Sequence, residues 1–278
     1  MSILSTISPY LVIYIRKPAM RTIEEYNHVL ELHKSGLNNC QIARKLDVPR
    51  CTVRDMIKNP RKRHNDTLNL ATLDRLKNPN SKKDETIRKV YSYLLGMYLG
   101  DGSIVQTKAK RNLYRLRITL DAKYPDIISS VRNAVQTIMS GNKTSEIKRF
   151  YRGKLSCIDI SCWSNDWVLF FPFYRPGKKH TYKIDLEEWQ KNIVIDYPRD
   201  FWLGLYHSDG SRYTNMGKYI SYNFTQKSKN IFGMFMWACD LVGVECTAHF
   251  RKQGECNVAN VYQHRSTELL DIFAGPKT

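Results

Sequence analysis

The stretch Leu95-Gly96-Met97-Tyr98-Leu99-Gly100-Asp101-Gly102-Ser103 returns later in the chain as Leu203-Gly204-Leu205-Tyr206-His207-Ser208-Asp209-Gly210-Ser211, with Leu, Gly, Tyr, Asp, Gly and Ser in register. Each copy reads as the last turns of a helix that stops at the glycine after its acid. Gly96 and Gly100 then share one face, as do Gly204 and Ser208, because residues four apart stack along a helix. Two helices with such smooth faces can pack backbone to backbone. Each aspartate sits at a helix C-terminus, where unpaired carbonyls and the macrodipole favour cations. Side by side, the two ends bring Asp101 and Asp209 together, and two close carboxylates repel unless a proton or a metal lies between them. In a basic chain this predicts a bound divalent metal.

The basic character is strong. The chain of 278 residues carries 44 Lys and Arg against 26 Asp and Glu, a net charge of +18. An excess of that size points to a polyanionic partner, most simply nucleic acid. At 42% hydrophobic residues the chain has enough apolar mass for a real core. Its seven cysteines form no CxxC pair; Cys157 and Cys162 are the nearest neighbours and lack a matching second pair. They read as reduced thiols of an intracellular protein, not as a disulfide framework or a zinc site.

Residues 1–21 are expected to be a disordered leader. The apolar run from Tyr10 to Ile15 is too short to span a membrane, and Arg16 and Lys17 follow it, where a signal peptide would carry its charge before it. Nothing else approaches a transmembrane length, so no membrane is expected as a partner. From Thr22 the pattern is helical. Thr22 and Glu25 fit a capping box, and Ile23, Tyr26, Val29, Leu30 and His33 follow at helical steps up to Gly36. Asn38 or Asn39 caps a second helix holding Ile42, Ala43 and Leu46. Asp47-Val48-Pro49 turns into a third, with Val53, Met56 and Ile57, closed by Pro60. Gln41-Ile42-Ala43-Arg44-Lys45-Leu46 followed by Val48-Pro49-Arg50-Cys51-Thr52-Val53 resembles the helix-turn-helix of bacterial and phage regulators and recombinases, which implies a DNA-binding domain over 22–60. On that resemblance the third helix is the reader, with Arg50, Thr52 and Arg54 facing the major groove. Arg61, Lys62 and Arg63 just beyond it suit phosphate contacts. Residues 61–83, polar and basic with one short amphipathic piece around Leu68 to Leu76 and the turn signal Asn78-Pro79-Asn80-Ser81, read as a linker.

A long helix leads into the first motif, and after Asp101-Gly102 the period changes to two. Tyr114, Leu116, Ile118 and Leu120 share one face of a half-buried strand, and Arg115, Arg117 and Thr119 the other. A helix to about Ile138 and strands over 146–151 and 155–163 follow, the first carrying Lys148 and Arg149 and their turn Arg152 and Lys154. The same order returns after Asp209: a strand over 218–226 with Ser221 and Asn223 on its polar face, a helix to Gly243, strands near 246–251, which end at Arg251, and 258–264, and a closing helix. Even the endings rhyme, Pro176-Gly177-Lys178-Lys179-His180-Thr181 against Gly275-Pro276-Lys277-Thr278. Residues 84–180 and 198–278 are therefore two versions of one unit, joined by a connector over 181–197.

Two such motifs, each heading an αββαββα-like unit, resemble a single-chain LAGLIDADG homing endonuclease from residue 84 onward. The resemblance implies an α+β fold with a pseudo-twofold duplication and saddle-shaped antiparallel sheets over the DNA major groove, preceded here by the small all-α domain. It implies a monomer that cuts both strands of double-stranded DNA at a long asymmetric site. Mg2+, for which Mn2+ can substitute, would be held by Asp101 and Asp209 with Gly100 and Ser208 at the same helix ends. Family members add a Gln and a Lys around the active-site waters. Gln226 stands at the expected place in the second half, with Asp121 as its counterpart in the first, and Lys178 or Lys179 in the first half and Lys277 in the second lie in matching segments. The DNA contacts implied on the strands are Arg115, Arg117, Lys148, Arg152, Lys154, Ser221, Asn223 and Arg251. Relatives of this fold that only bind, as regulators with a helix-turn-helix or as maturases on intron RNA, are the alternatives; the retained acids favour catalysis. Such an enzyme belongs with DNA in the cytoplasm or nucleoid, organelles included.

Overall fold

The computed structural model describes residues 23–58, 60–107, 113–175, 177–215, 217–252 and 255–278. The expected leader and Thr22 lie outside them. The chain divides into two units between Arg63 and His64.

The first unit is built from α1 (Ile23–Lys34), α2 (Asn39–Leu46) and α3 (Arg50–Lys58). Their apolar faces close on one another through Tyr26, Val29, Leu32, Ile42, Val48, Val53 and Met56, a small core of its own. Asn38, rather than Asn39, is the cap of α2. Its Oδ1 accepts from the backbone of Cys40 and Gln41 at 3.0 Å, and the Gln41 side chain accepts from the Asn38 N–H at 2.9 Å, a reciprocal box that satisfies otherwise orphaned donors. Asp47 takes up the left-handed conformation, φ 49°, and so turns the chain sharply from α2 into α3.

Residues 61–83, expected as a linker, are mostly helix: α4 runs Pro60–Lys77. Only its second half is amphipathic. There Leu73 and Leu76 enter the main core, and the buried Asn69 amide donates to Asn142 Oδ1 and Asp166 Oδ2, both at 2.9 Å. The polar first half hid the helix from a reading based on apolar period.

The second unit is the expected α+β duplication. In order along the chain come α5 (Lys82–Asp101), β1 (Gly102–Gln106), β2 (Tyr114–Asp121), α6 (Pro125–Ile138), β3 (Thr144–Tyr151), β4 (Lys154–Ser164) and α7 (Trp167–Phe170). Then follow α8 (Glu188–Asp196), α9 (Pro198–Asp209), β5 (Gly210–Asn215), β6 (Tyr219–Gln226), α10 (Lys229–Val242), β7 (Thr247–His249), β8 (Asn257–Val261) and α11 (His264–Phe273). The strands form two antiparallel four-stranded sheets with the same order, β1-β2-β4-β3 and β5-β6-β8-β7. The register matches too: Gly102 pairs with Ile118 in one sheet and Gly210 with Phe224 in the other. The short strands β1 and β5 and the connector helix α8 were not located from the sequence. β1 and β5 begin at the motif glycine itself and are too short for a clear alternation.

Alternation on β2 is as expected: Leu116 and Ile118 are wholly buried and Leu120 nearly so, while Arg115, Arg117 and Thr119 stand half-buried on the opposite face. Helices α5 and α9 pack against each other at the centre of the unit. Gly96 and Gly204 face one another so closely that a Cβ on Gly204 would lie 2.2 Å from the Tyr93 carbonyl oxygen, and one on Gly96 2.5 Å from that of Phe201. Around this contact the aromatic rings of Tyr98, Trp167 and Phe171 in one half and Trp202, Tyr206 and Tyr222 in the other stack into a continuous core. The close approach of the two backbones fixes the helix ends side by side, and with them the two acids. Among the described residues no helix is long and apolar enough to cross a membrane.

Candidate catalytic centre and nucleic-acid face

Asp101 and Asp209 are the last residues of α5 and α9. Each is half-buried. Burial first, and then the negative charge of Asp209, pushes the Asp101 carboxyl up to about 6; Lys277 and Lys179 pull the other way. Asp209 is raised as well, again by burial, against the pull of Lys179, Lys277 and a hydrogen bond from Gln226. Asp101 therefore senses the charge of Asp209, as an acid at the end of an adjoining helix must. A Cβ on Gly100 would lie 2.1 Å from Ser208 Oγ and 2.7 Å from Asp209 Oδ2, so the missing side chain at Gly100 makes room for the acid of the other half.

The two lysines take up matching places. Lys179 Nζ donates to the carbonyls of Tyr98, Leu99 and Gly100, at 3.0 Å for Leu99 and 3.3 Å for Gly100. Its three donors thus cap the end of α5. Lys277 Nζ donates to the His207 carbonyl at 2.9 Å and so caps α9. Burial lowers Lys179 to about 7 and Lys277 to about 8, while the charges of Asp101 and Asp209 favour their protonated forms. Each lysine is thereby a half-buried amine beside the acid pair, held by the helix end that presents the acid. His207 is held across the helix pair by Tyr93, whose hydroxyl lies 3.0 Å from Nδ1.

Gln226 is the point at which the halves part company. Its Nε2 donates to Asp209 Oδ2 at 2.7 Å, and its Oε1 accepts from the Ser228 N–H at 3.1 Å, so the amide is oriented from both ends. The expected counterpart, Asp121, is one residue off. Counting along the ladders from Gly102↔Ile118 and Gly210↔Phe224 places Leu120 opposite in role to Gln226. Leu120 is buried, and Asp121 points the other way, exposed, with Lys123 Nζ 3.0 Å from its carboxylate. The first half therefore has a hydrocarbon where the second has an amide. Should this centre cut duplex DNA, Gln226→Leu, which imposes the first half's side chain on the second, is expected to slow cutting of one strand by up to about a hundredfold and leave the other nearly unchanged, since misplacing a reacting group costs on this scale. Strand-resolved time courses on end-labelled duplex check it; equal slowing of both strands would contradict the asymmetry.

An open cleft of about 490 Å3 lies over this centre, lined by Gly100, Arg117, Arg175, Lys179, Asp209 and Gln226 among others. Among the described residues no three His, Cys, Asp or Glu converge as a metal cluster. The protein donors at hand are thus the two carboxylates. This hard, all-oxygen set suits Mg2+ or Mn2+, which keep water in most of their coordination positions, and does not suit zinc. Gly100 and Ser208 are less available: the Gly100 carbonyl accepts from Lys179, and the Ser208 hydroxyl donates to the Leu205 carbonyl at 2.8 Å.

The residues expected to meet nucleic acid are spread over several surfaces. On α3, Arg50 and Arg54 are exposed and Thr52 half-buried. Arg61, Lys62 and Arg63 fall within α4, with side chains outside those described. Arg115 and Arg117 share one face of the first sheet, Arg115 lying 5.6 Å from the Trp163 ring. Lys148 does not share that face. It pairs with Ile158, on the side of the buried residues, whereas Arg149 pairs with Cys157 on the side of Arg117. The adjacent Arg149, a basic residue of the same strand that was not chosen as a DNA contact, is the one on the basic face; the parity of the ladder decides between the two, and a single strand does not reveal it. Arg149 Nε lies 2.7 Å from Asp159 Oδ2, and Thr119 donates to Asp159 Oδ1 at 2.7 Å. Asp159 thus tethers Arg149 to the sheet from beneath. Arg152, at φ 49° in the β3–β4 turn, and Lys154 are exposed at the far end of that hairpin. In the second sheet Asn223 is half-buried, Ser221 is buried, and Arg251, just past β7, is exposed.

No protein-family model matches the chain, and no curated protein does. Among solved structures it is similar to mesophilic variants of the homing endonuclease I-DmoI, at 16% identity over 68% of this chain and 96% of that one, with a TM-score of 0.47. It is similar also to I-DmoI in complex with DNA and Mn, at 16% identity over 68% and 97% of the two chains and a TM-score of 0.46. The N-terminal LAGLIDADG domain of DUF199/WhiA is 14% identical over 74% of this chain and 89% of that one, with a TM-score of 0.44.

Proposed function

We propose that the chain is a metal-dependent, site-specific DNA endonuclease of the LAGLIDADG homing type, a monomer because both halves of its centre lie in one chain. The observation that carries this reading is the pair Asp101 and Asp209, brought together at the ends of α5 and α9 by glycines that leave no room for side chains between the helices. Holding two acids together raises the free energy of the empty site, and stability alone gives no reason for it. Mg2+ or Mn2+ would be held by these two carboxylates and, when bound, polarises phosphate and lowers the pKa of water. The chain's own residues do the rest. Gln226 orients Asp209, and Lys179 and Lys277 hold the helix ends that present the acids, their amines beside the place where a phosphodiester would sit. The basic face of the first sheet binds backbone and base edges. The three-helix unit is a second reading module, with Arg50, Thr52 and Arg54 toward the groove. Such an enzyme works wherever its DNA lies, in cytoplasm, nucleoid or organelle.

The same three-helix unit also favours a second reading, a regulator that binds without cutting. The two separate when the full chain is incubated with a randomised duplex pool and the cut ends are captured. The endonuclease yields products with Mg2+ or Mn2+ and none with EDTA. Duplex retained but never cut under any metal condition sinks the endonuclease in favour of the regulator, and preferential retention of intron RNA points to a maturase.

A further inference from the structure

The two sheets present unlike chemistry on corresponding faces. Because Ser103 pairs with Arg117 and Ser211 with Asn223, Arg117 and Asn223 occupy equivalent places, one in each half, each opposite the residue that follows the motif glycine. Around Arg117 the first face carries Arg115 and Arg149, the latter paired with Asp159 on the same face. Around Asn223 the second carries Ser211, Tyr213, Thr225, Thr247 and Asn260. Among the described residues on that face of the second sheet there is no lysine or arginine; Arg212, on β5, turns to the other side and pairs with Asp271 at 2.8 Å.

Asn223 is also set in place. Its Nδ2 donates to Asn260 Oδ1 at 2.8 Å, and its Oδ1 accepts from Thr225 Oγ1 at 2.9 Å. A primary amide has two N–H donors and an oxygen with two lone pairs. One N–H and one lone pair therefore stay open, with the amide's orientation fixed. That is the pattern that pairs with N7 and N6 of adenine, whereas an arginine fork pairs with O6 and N7 of guanine.

We propose that the two halves of the DNA site are read by different chemistry: guanine by Arg117 on the first sheet and adenine by Asn223 on the second. The inference rests on the reading of the chain as a duplex-DNA binder and goes beyond it by assigning a base to each half. Asn260 and Thr225 are positioning residues for the amide, and the second half leans on hydrogen bonding where the first adds charge.

The test is binding selection from a randomised duplex pool with the full chain carrying Asp101→Asn and Asp209→Asn, which removes cutting. Arg117→Gln and Asn223→Arg are then each added. Arg117→Gln is expected to shift one position from G toward A by about tenfold, and Asn223→Arg to shift a position on the other side of the cut from A toward G by a similar factor, as single bidentate contacts discriminate. Asn260→Ala, which only unties the Asn223 amide, should relax the same adenine position without changing its identity. Identical base preferences on both sides, or two substitutions that move the same position, would overturn this inference while leaving the DNA-binding reading intact. A chain that enriches no duplex, and retains RNA instead, would overturn both.

Discussion

Asp101→Asn and Asp209→Asn should each abolish double-strand cutting, lowering the rate by at least about 1,000-fold, while the affinity for uncut duplex changes little. That factor corresponds to about 4 kcal/mol at the transition state, in the range expected when a metal that stabilises developing charge loses a carboxylate ligand. The substitution preserves shape, so the loss is one of charge. It also removes a repulsion, because burial and the neighbouring Asp209 hold Asp101 up to about 6. Ionising a group whose folded pKa is raised costs stability above that pKa. The metal-free Asp101→Asn protein is therefore expected to be at least as stable as the parent at pH 8, which separates catalytic loss from misfolding. Cutting at near-parental rates in either variant would remove the acids from the mechanism.

Gly204→Ala should be among the most destabilising single methyl additions in the chain, costing about 3 kcal/mol or more, at or above the upper end of overpacking penalties. The new Cβ would meet the Tyr93 carbonyl oxygen at 2.2 Å and the Met97 nitrogen at 2.9 Å. Both are backbone atoms of α5, and neither can step aside as a side chain could. Relief requires the two helices to separate, which would loosen the aromatic core around them and pull the acids apart. Gly233 in α10 supplies the control. A Cβ there meets nothing within 4 Å, so Gly233→Ala should gain up to about 1 kcal/mol from helix propensity. Urea unfolding of the two variants reads both effects; a Gly204→Ala midpoint equal to the parent's would show that the helices can part without cost.

The parts of this molecule that were legible in the sequence are those in which one short pattern carries the constraint. Gly96, Gly204 and the two acids recur in register, and a close helix pair with adjoining acids follows from that alone. The alternation of Leu116, Ile118 and Leu120 with Arg115 and Arg117 gave β2 its faces. The positions of Lys179 and Lys277 were marked by matching segments, though their capping of α5 and α9 depends on a return of the chain that no local pattern shows. What escaped depended on pairing between strands. Leu120 rather than Asp121 stands in for Gln226, and Arg149 rather than Lys148 lies on the basic face, because the ladder decides both and a one-residue slip reverses a strand's faces. Helix α8, and the extent of α4 beyond its amphipathic piece around Leu68 to Leu76, escaped for a different reason: polar turns obscure their apolar stripes, and tertiary contacts such as those of Asn69 and Gln190 hold them in place.

The central claim is that Asp101 and Asp209 together hold a divalent metal. Electron paramagnetic resonance of Mn2+, titrated with the full chain at several pH values, measures this directly by the loss of the free-ion signal. The parent is expected to bind Mn2+ more tightly as pH rises from 5.5 to 8: Asp101 ionises near about 6 and Lys179 loses its proton near about 7, and both changes favour a cation. The Asp101→Asn/Asp209→Asn double variant should leave the Mn2+ signal free across the same range. Undiminished binding by the double variant, with the same pH dependence, would contradict the account.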